Sequence, residues 1–316
     1  MNKTLYVDPS ANADDTTFHC IKDALKGIDS NDKNFYNICI APGVYRERVE
    51  IWHDNLRLFS KSGDPGDTVI TGSLGAFDLM EDGEKRGTFR SYTMLVAASN
   101  VTLEDLTILN ESGDPLKAGQ AIALYADGDD ITVTGCHIKS RQDTLFTGPL
   151  PPKEIKPGGF IGPLQHAPRI QGHQLYKNCF ISGDVDFIFG GAAAVFEDCT
   201  IESVPHRPQK ADTDMNQGYV TAPSTPEGAE EGYSFIRCRF IGNGLRDSTV
   251  YLSRPWRIYA AATFRDCEIG YHIRPEGFHD WDKPESHETV RYVVSGCRRP
   301  DGAPYIPEAD FATVTD

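Results

Sequence analysis

Six segments of the chain repeat one spacing of apolar positions: an apolar residue, Cys or Leu three positions later, and Ile or Phe two positions after that. They are Leu103-Leu106-Ile108, Val133-Cys136-Ile138, Tyr176-Cys179-Ile181, Phe196-Cys199-Ile201, Phe235-Cys238-Phe240 and Phe264-Cys267-Ile269. In four of them a turn former, Gly135, Asn178, Asp198 or Asp266, stands directly before the cysteine. The segments recur mostly at intervals of about 20 to 40 residues, the irregular spacing of stacked coils joined by variable loops. Short β-rich stretches, frequent turns and almost no long helical period predict an all-β chain, a single-stranded parallel β-helix whose equivalent positions stack up the interior. Plain sandwich strands would show a similar local pattern; stacking in register separates the two.

Other stretches break the rhythm. His19 to Ile28 carries apolar residues at 21, 24, 25 and 28 and predicts one short helix. It would cap the open end of the coil stack within about the first 30 residues. Prolines and glycines crowd the region between Gly148 and Gly172, which predicts a long irregular insertion. Past about residue 272 the repeat is expected to stop, and the polar stretch Pro275 to Glu288 reads as loops or a tail, about 275–316, packed along the outside. The whole of 1–316 is then one domain.

Composition narrows the partners. The chain has 316 residues, 39% hydrophobic and 24% charged, with a net charge of −15. That charge disfavours nucleic acid and anionic membranes, and would repel a polyanion, but not neutral or partly neutralised carbohydrate. No apolar run has the roughly 18 to 20 residues of a membrane span, and the first residues lack the pattern of a signal peptide. As it stands the sequence is expected to be cytoplasmic, and secreted if a leader has been removed. The eight cysteines form no Cys-x-x-Cys pair and no cluster with histidine, so zinc is not expected. On a β-helix they become an interior ladder of free thiols.

Candidate chemistry centres on Gly183-Asp184-Val185-Asp186-Phe187-Ile188-Phe189-Gly190, a short buried strand with an acid inside it. Asp186 there needs a cation or hydrogen-bond donors, whether its use is structural or catalytic. Three more stretches put polar groups where strands are expected: Gln120 to Leu124, Arg141-Gln142-Asp143-Thr144-Leu145-Phe146, and Tyr251-Leu252-Ser253-Arg254-Pro255-Trp256. Together these segments resemble the signatures of pectin methylesterases, and Gly43-Val44-Tyr45-Arg46-Glu47 resembles a further, more structural one. The resemblance runs from about Tyr6 to about Tyr292, in the order of the family.

The resemblance implies a right-handed parallel β-helix with long loops at a substrate groove, and hydrolysis of methyl esters of galacturonic acid. It makes Asp186 the nucleophile, Asp143 the general acid and then base, and Gln142 an oxyanion donor. Arg254 would hold Asp186, Gln120 would add to substrate and oxyanion binding, and Trp256 would pack on a sugar ring. Thr88 matches a further substrate contact, and Phe189 is expected to line the groove. The partner is methyl-esterified homogalacturonan or its oligogalacturonides, no metal or other cofactor has a task, and a monomer is expected.

Physical chemistry supports that division of roles. Coils about 4.8 Å apart would bring Asp143 and Asp186 close, so that one is more easily kept protonated, and a guanidinium favours the ionised form of its partner. Strict period-2 alternation, however, sends Gln142 and Asp143 to opposite faces and Phe189 away from Asp186. A shared site therefore requires the backbone to bend.

The chain departs from the family in places. Arg141 stands where an aromatic is common, Ser253 where glycine is common, and Tyr292 to Cys297 follows the C-terminal pattern poorly. The insertion at 148–172 falls between the two aspartates, so it is expected at the cleft rim, narrowing the groove toward short or chain-end substrates. The alternatives are a polygalacturonase-like glycosidase, a lyase, an esterase for another acyl group, and a non-catalytic galacturonan-binding β-helix.

Overall fold

The computed structural model describes residues 2–207 and 216–315. Its strands form three parallel sheets of twelve, eight and seven strands. From Phe35–Ile40 to Glu268–Ile269, successive strands visit the three sheets in unbroken rotation, so neighbours within a sheet are one coil apart. That is a parallel β-helix.

The apolar pattern seen in the sequence is its interior. Leu103 pairs with Val133, then Tyr176, Phe196, Phe235 and Phe264 follow in register on the twelve-stranded sheet. Ile108, Ile138, Ile181, Ile201, Phe240 and Ile269 do the same on the eight-stranded sheet. Flat parallel stacking puts like side chains over like: the Phe196 and Phe235 rings lie 4.5 Å apart and 10° from parallel, and Phe235 and Phe264 lie 5.0 Å apart at 6°. Between the two columns the chain turns through one left-handed residue. Asp105, Gly135, Asn178, Asp198, Arg237 and Asp266 have φ between 52° and 62°. Glycine reaches this region without a steric penalty, and Asn and Asp tolerate it. Arg237 is the exception, and its guanidinium is ion-paired to Asp198 and Glu197 of the preceding coil.

The cysteine ladder follows the same register. Seven of the eight free thiols are buried, Cys20 alone being half-buried. Cys179, Cys199 and Cys238 each donate, at 3.3 Å, to a carbonyl of the coil before, those of Val133, Tyr176 and Phe196. The predicted helix is Ile21–Lys26, with Ile21 and Ala24 buried. Its cap comes from afar: the Glu47 carboxylate accepts the Ile21 and Lys22 N–H groups at 3.0 Å. The Gly43 to Glu47 segment is thus structural, holding the end cap in place.

The repeat does not stop at 272. Arg291–Ser295 pairs with Ala261–Arg265, and Ala312–Thr315 pairs with Arg291–Ser295. Val294 sits over Phe264, and Cys297 extends the thiol ladder by donating to the Phe264 carbonyl at 3.3 Å. This last coil was hidden because its third position is Arg299, whose guanidinium donates to the Gly270 carbonyl at 2.8 Å instead of entering the core.

Two measurements test this interior. With an aromatic disulfide reagent, Cys20 of the native protein is expected to react quickly and the seven buried thiols only on unfolding. Phe235→Ala, which empties the middle of the ring stack, is expected to lower the unfolding free energy by about 3–5 kcal/mol in denaturant titration.

Candidate active site

The seven-stranded sheet carries the site. Leu145 and Ile188 point into the main core, while Phe146 and Phe189, paired on neighbouring strands, alternate to the outer face. The strands themselves are shorter than the sequence suggests. Gln120, in irregular backbone, and Gln142 and Asp143, in a turn, lie ahead of Leu124–Ala126 and Leu145–Thr147, not in strands. Ala121 N–H to Gln142 O at 2.9 Å and Asp143 N–H to Val185 O at 3.0 Å keep these turns hydrogen-bonded from coil to coil.

The bend that a shared site requires is present. Asp143 and Asp186 both hold left-handed backbone, φ 63° and 51°. The pairing of Val185–Gly190 with Gly218–Pro223 also slips between Val185 and Ile188. Each departure breaks the alternation, so Gln142, Asp143, Asp186 and Phe189 face one cleft. Gly183 is needed beside them: a Cβ there would stand 2.3 Å from the Phe187 Cβ and 2.7 Å from the Arg141 carbonyl oxygen.

Asp186 is 6% exposed and accepts two hydrogen bonds from Arg254, Nε to Oδ1 at 2.7 Å and Nη2 to Oδ2 at 2.6 Å. Such a fork matches an ionised carboxylate, which has acceptors only. The guanidinium is itself clamped between two rings, 3.7 Å from the Tyr219 centroid and 3.6 Å from that of Trp281. Asp143, 8% exposed, differs. Burial first, then the neighbouring Asp186 charge, push its carboxyl well above the ordinary 3.8, against the opposing pull of Arg254. One acid is forked to a fixed cation, and the other is pushed toward its neutral form by its surroundings.

Arg141, where the family often has an aromatic, has a partner that explains it. Its Nε donates at 3.0 Å to the Asp184 carboxylate, which is 0% exposed and also accepts the Val185 N–H at 2.7 Å. This pair, its acid buried and its arginine half-buried, ties the turn before Asp143 to the turn before Asp186.

The cleft has a volume of about 250 Å³, and Thr88, Gln120, Arg254 and Trp256 line it with the four residues above. All eight side chains singled out in the sequence therefore face one cavity. Trp256 packs near-parallel to Phe89 at 6.5 Å and against Phe189 at 5.7 Å. Sequence reasoning missed Phe89, Tyr219, Arg257 and Trp281. Of these only Trp281 gave a signal, a lone tryptophan in a polar stretch that reads as tail. A larger cleft of about 490 Å³ beside the N-terminal helix contains none of these residues. Among the described residues no group of three or more His, Cys, Asp or Glu side chains is placed to hold a metal ion.

Comparisons with known proteins point to one family. The Pectinesterase family model matches residues 10–149 and 166–300, leaving unmatched a stretch inside the long insertion. Pectinesterase QRT1 of Arabidopsis thaliana is 28% identical over 306 residues, 94% of this chain and 70% of its own length. Pectinesterase 1 of Solanum lycopersicum is 30% identical, over 87% of this chain and 45% of its own. A solved pectin methylesterase in complex with a hexasaccharide superposes with a TM-score of 0.77 at 25% identity, covering 99% of this chain and 93% of that one. The pectin methylesterase from Yersinia enterocolitica gives 0.74 at 27% identity, over 95% and 94%. The chain belongs to the pectinesterase family of carboxylic ester hydrolases.

Proposed function

We propose that this protein hydrolyses the methyl esters of galacturonic acid units, in pectin or its oligosaccharides, through an aspartyl acyl-enzyme. The carrying observation is the pair of unlike acids: Asp186 forked to Arg254 beside a buried Asp143 pushed toward its neutral form. An Asp186 oxygen attacks the ester carbonyl, and the tetrahedral oxyanion faces the side-chain amides of Gln142 and Gln120. Neutral donors stabilise the intermediate without trapping it. Asp143 gives its proton to the departing methoxide, which leaves as methanol, and the substrate acyl group stays bonded to Asp186 as an anhydride. Water then adds to that acyl carbon, Asp143 takes back a proton, and the free acid leaves with Asp186 restored as carboxylate. Trp256, Phe189 and Thr88 hold the sugar ring over the two acids.

Asp186→Asn is expected to lower methanol release from highly methyl-esterified pectin by on the order of 10⁴-fold or more. No new reducing ends are expected in either protein; reducing ends without methanol would mark a glycosidase instead. Asp143 must begin each cycle protonated, so kcat is expected to fall as pH rises through its raised value, and Asp143→Asn to cost roughly 10²- to 10⁴-fold.

The same shift affects stability. Above 3.8 an unfolded Asp143 releases a proton that the folded protein retains. Its contribution is fully present below that value and is lost as pH rises to the raised one. Unfolding free energy measured against pH should show this decline in the wild type and lack it in Asp143→Asn.

A further inference from the structure

Arg254, which forks Asp186, and Trp256, which lines the cleft, belong to one turn just past the strand Val250–Ser253. The coil before fixes one side of that turn: the Arg254 N–H donates to the Thr221 carbonyl at 3.0 Å and the Trp256 N–H to that of Pro223 at 3.1 Å. The other side faces Gly277 to Arg291, much of it the polar stretch that reads as tail in the sequence. Leu252 N–H to Gly277 O at 2.7 Å, His279 N–H to Ser253 O at 3.1 Å and Arg291 N–H to Ala260 O at 2.9 Å bind it along 252–260 as a strap.

Between those bonds the strap passes over the turn. Trp281 and Asp282 hold left-handed backbone, φ 59° and 55°, which a bulky side chain such as indole adopts only under constraint. The constraint is local. Trp281 N–H donates to His279 Nδ1 at 2.8 Å, Asp282 N–H donates to Asp280 Oδ1 at 2.9 Å, and His287 Nε2 braces Asp280 at 3.2 Å. So held, the Trp281 ring lies 3.6 Å from the Arg254 guanidinium.

Lys283 then closes the strap on the turn. Its Nζ donates to the Pro255 carbonyl at 2.7 Å and to that of Trp256 at 3.3 Å, and stands 4.3 Å from the centroid of the Trp281 ring. Among the described residues it is the only side chain from outside the turn that donates to these two carbonyls. A cation is costly at this position: burial, then Arg257 and Arg254, push the amine down to about 8, against the pull of Asp186 and Glu285. A neutral donor could serve the carbonyls alone. What the charge adds is attraction for the indole ring that covers Arg254.

We propose that Lys283 is a positioning residue for the reaction: through two carbonyls and the Trp281 ring it holds Arg254 on Asp186 and Trp256 against the substrate. This rests on the ester hydrolysis proposed above. The test pairs methanol release from highly methyl-esterified pectin with tryptophan emission of the native protein against pH, for the wild type, Lys283→Met, Lys283→Arg and Trp281→Phe.

Lys283→Met is expected to lose roughly 10- to 100-fold in kcat/KM, as displaced groups at a reacting centre do. Lys283→Arg, which keeps a cation with donors, should recover most of it. Wild-type emission should show a step near 8, absent from Lys283→Arg and from Trp281→Phe. The strap's other ionisable groups, His279, Asp280, Asp282, Glu285 and His287, are unchanged in Lys283→Arg, so only the amine's own step is removed. Full activity in Lys283→Met, a loss that Lys283→Arg leaves unrestored, or a step that survives in Lys283→Arg overturns the assignment. So does wild-type emission without a step, a measurement that requires no variant to fold. Absence of methanol from the wild type, with the emission step in place, would instead overturn the esterase reading.

Discussion

Everything in this molecule depends on the parallel hydrogen bonding of one coil to the next in unbroken register. A slip of one residue between two coils would turn every side chain of a strand to the other face. In register, the same position of each coil falls over its equivalent, and Tyr176, Phe196, Phe235 and Phe264 become a column of stacked rings. The repeated left-handed turn residue makes this possible, because it redirects the chain identically at each level.

The site is built from the places where that regularity is broken. Asp143, in the turn before Leu145–Thr147, and Asp186, inside the strand Val185–Gly190, hold left-handed backbone, and the pairing slips beside Asp186. Backbone in that region is unfavourable for an ordinary side chain and persists where its surroundings over-determine it. Here those surroundings are the Arg254 fork, the Tyr219 and Trp281 clamp and the Arg141–Asp184 pair. The rigid coils on either side hold two acids at one spacing, and the environment makes them unlike.

Much of the fold was legible because the interior of a β-helix is written locally. The spacing from Phe235 to Cys238 to Phe240 is set by one strand, one turn and the next strand, all within six residues. The last coil was harder to read, since Arg299 carries its charge out to carbonyls and so spoils the apolar pattern. The site was legible as motifs, yet its supporting cast was not. Tyr219 and Trp281 reach Arg254 from coils and loops far along the chain, and nothing in their own sequence neighbourhood announces the contact.

By itself the sequence determined which residues stack, which acids and amides are the candidates for the chemistry, and that a Pro/Gly-rich insertion lies between the two aspartates. Only the tertiary structure decided that Gln142 and Asp143 share a face, that one acid is forked to Arg254 while the other is pushed toward neutrality, and that the insertion packs over the outer sheet face. The reason is physical. Side-chain period and turn preference act over a few residues, whereas a shift in protonation or the wall of a cleft depends on charges and surfaces that meet only when coils far apart in sequence are stacked.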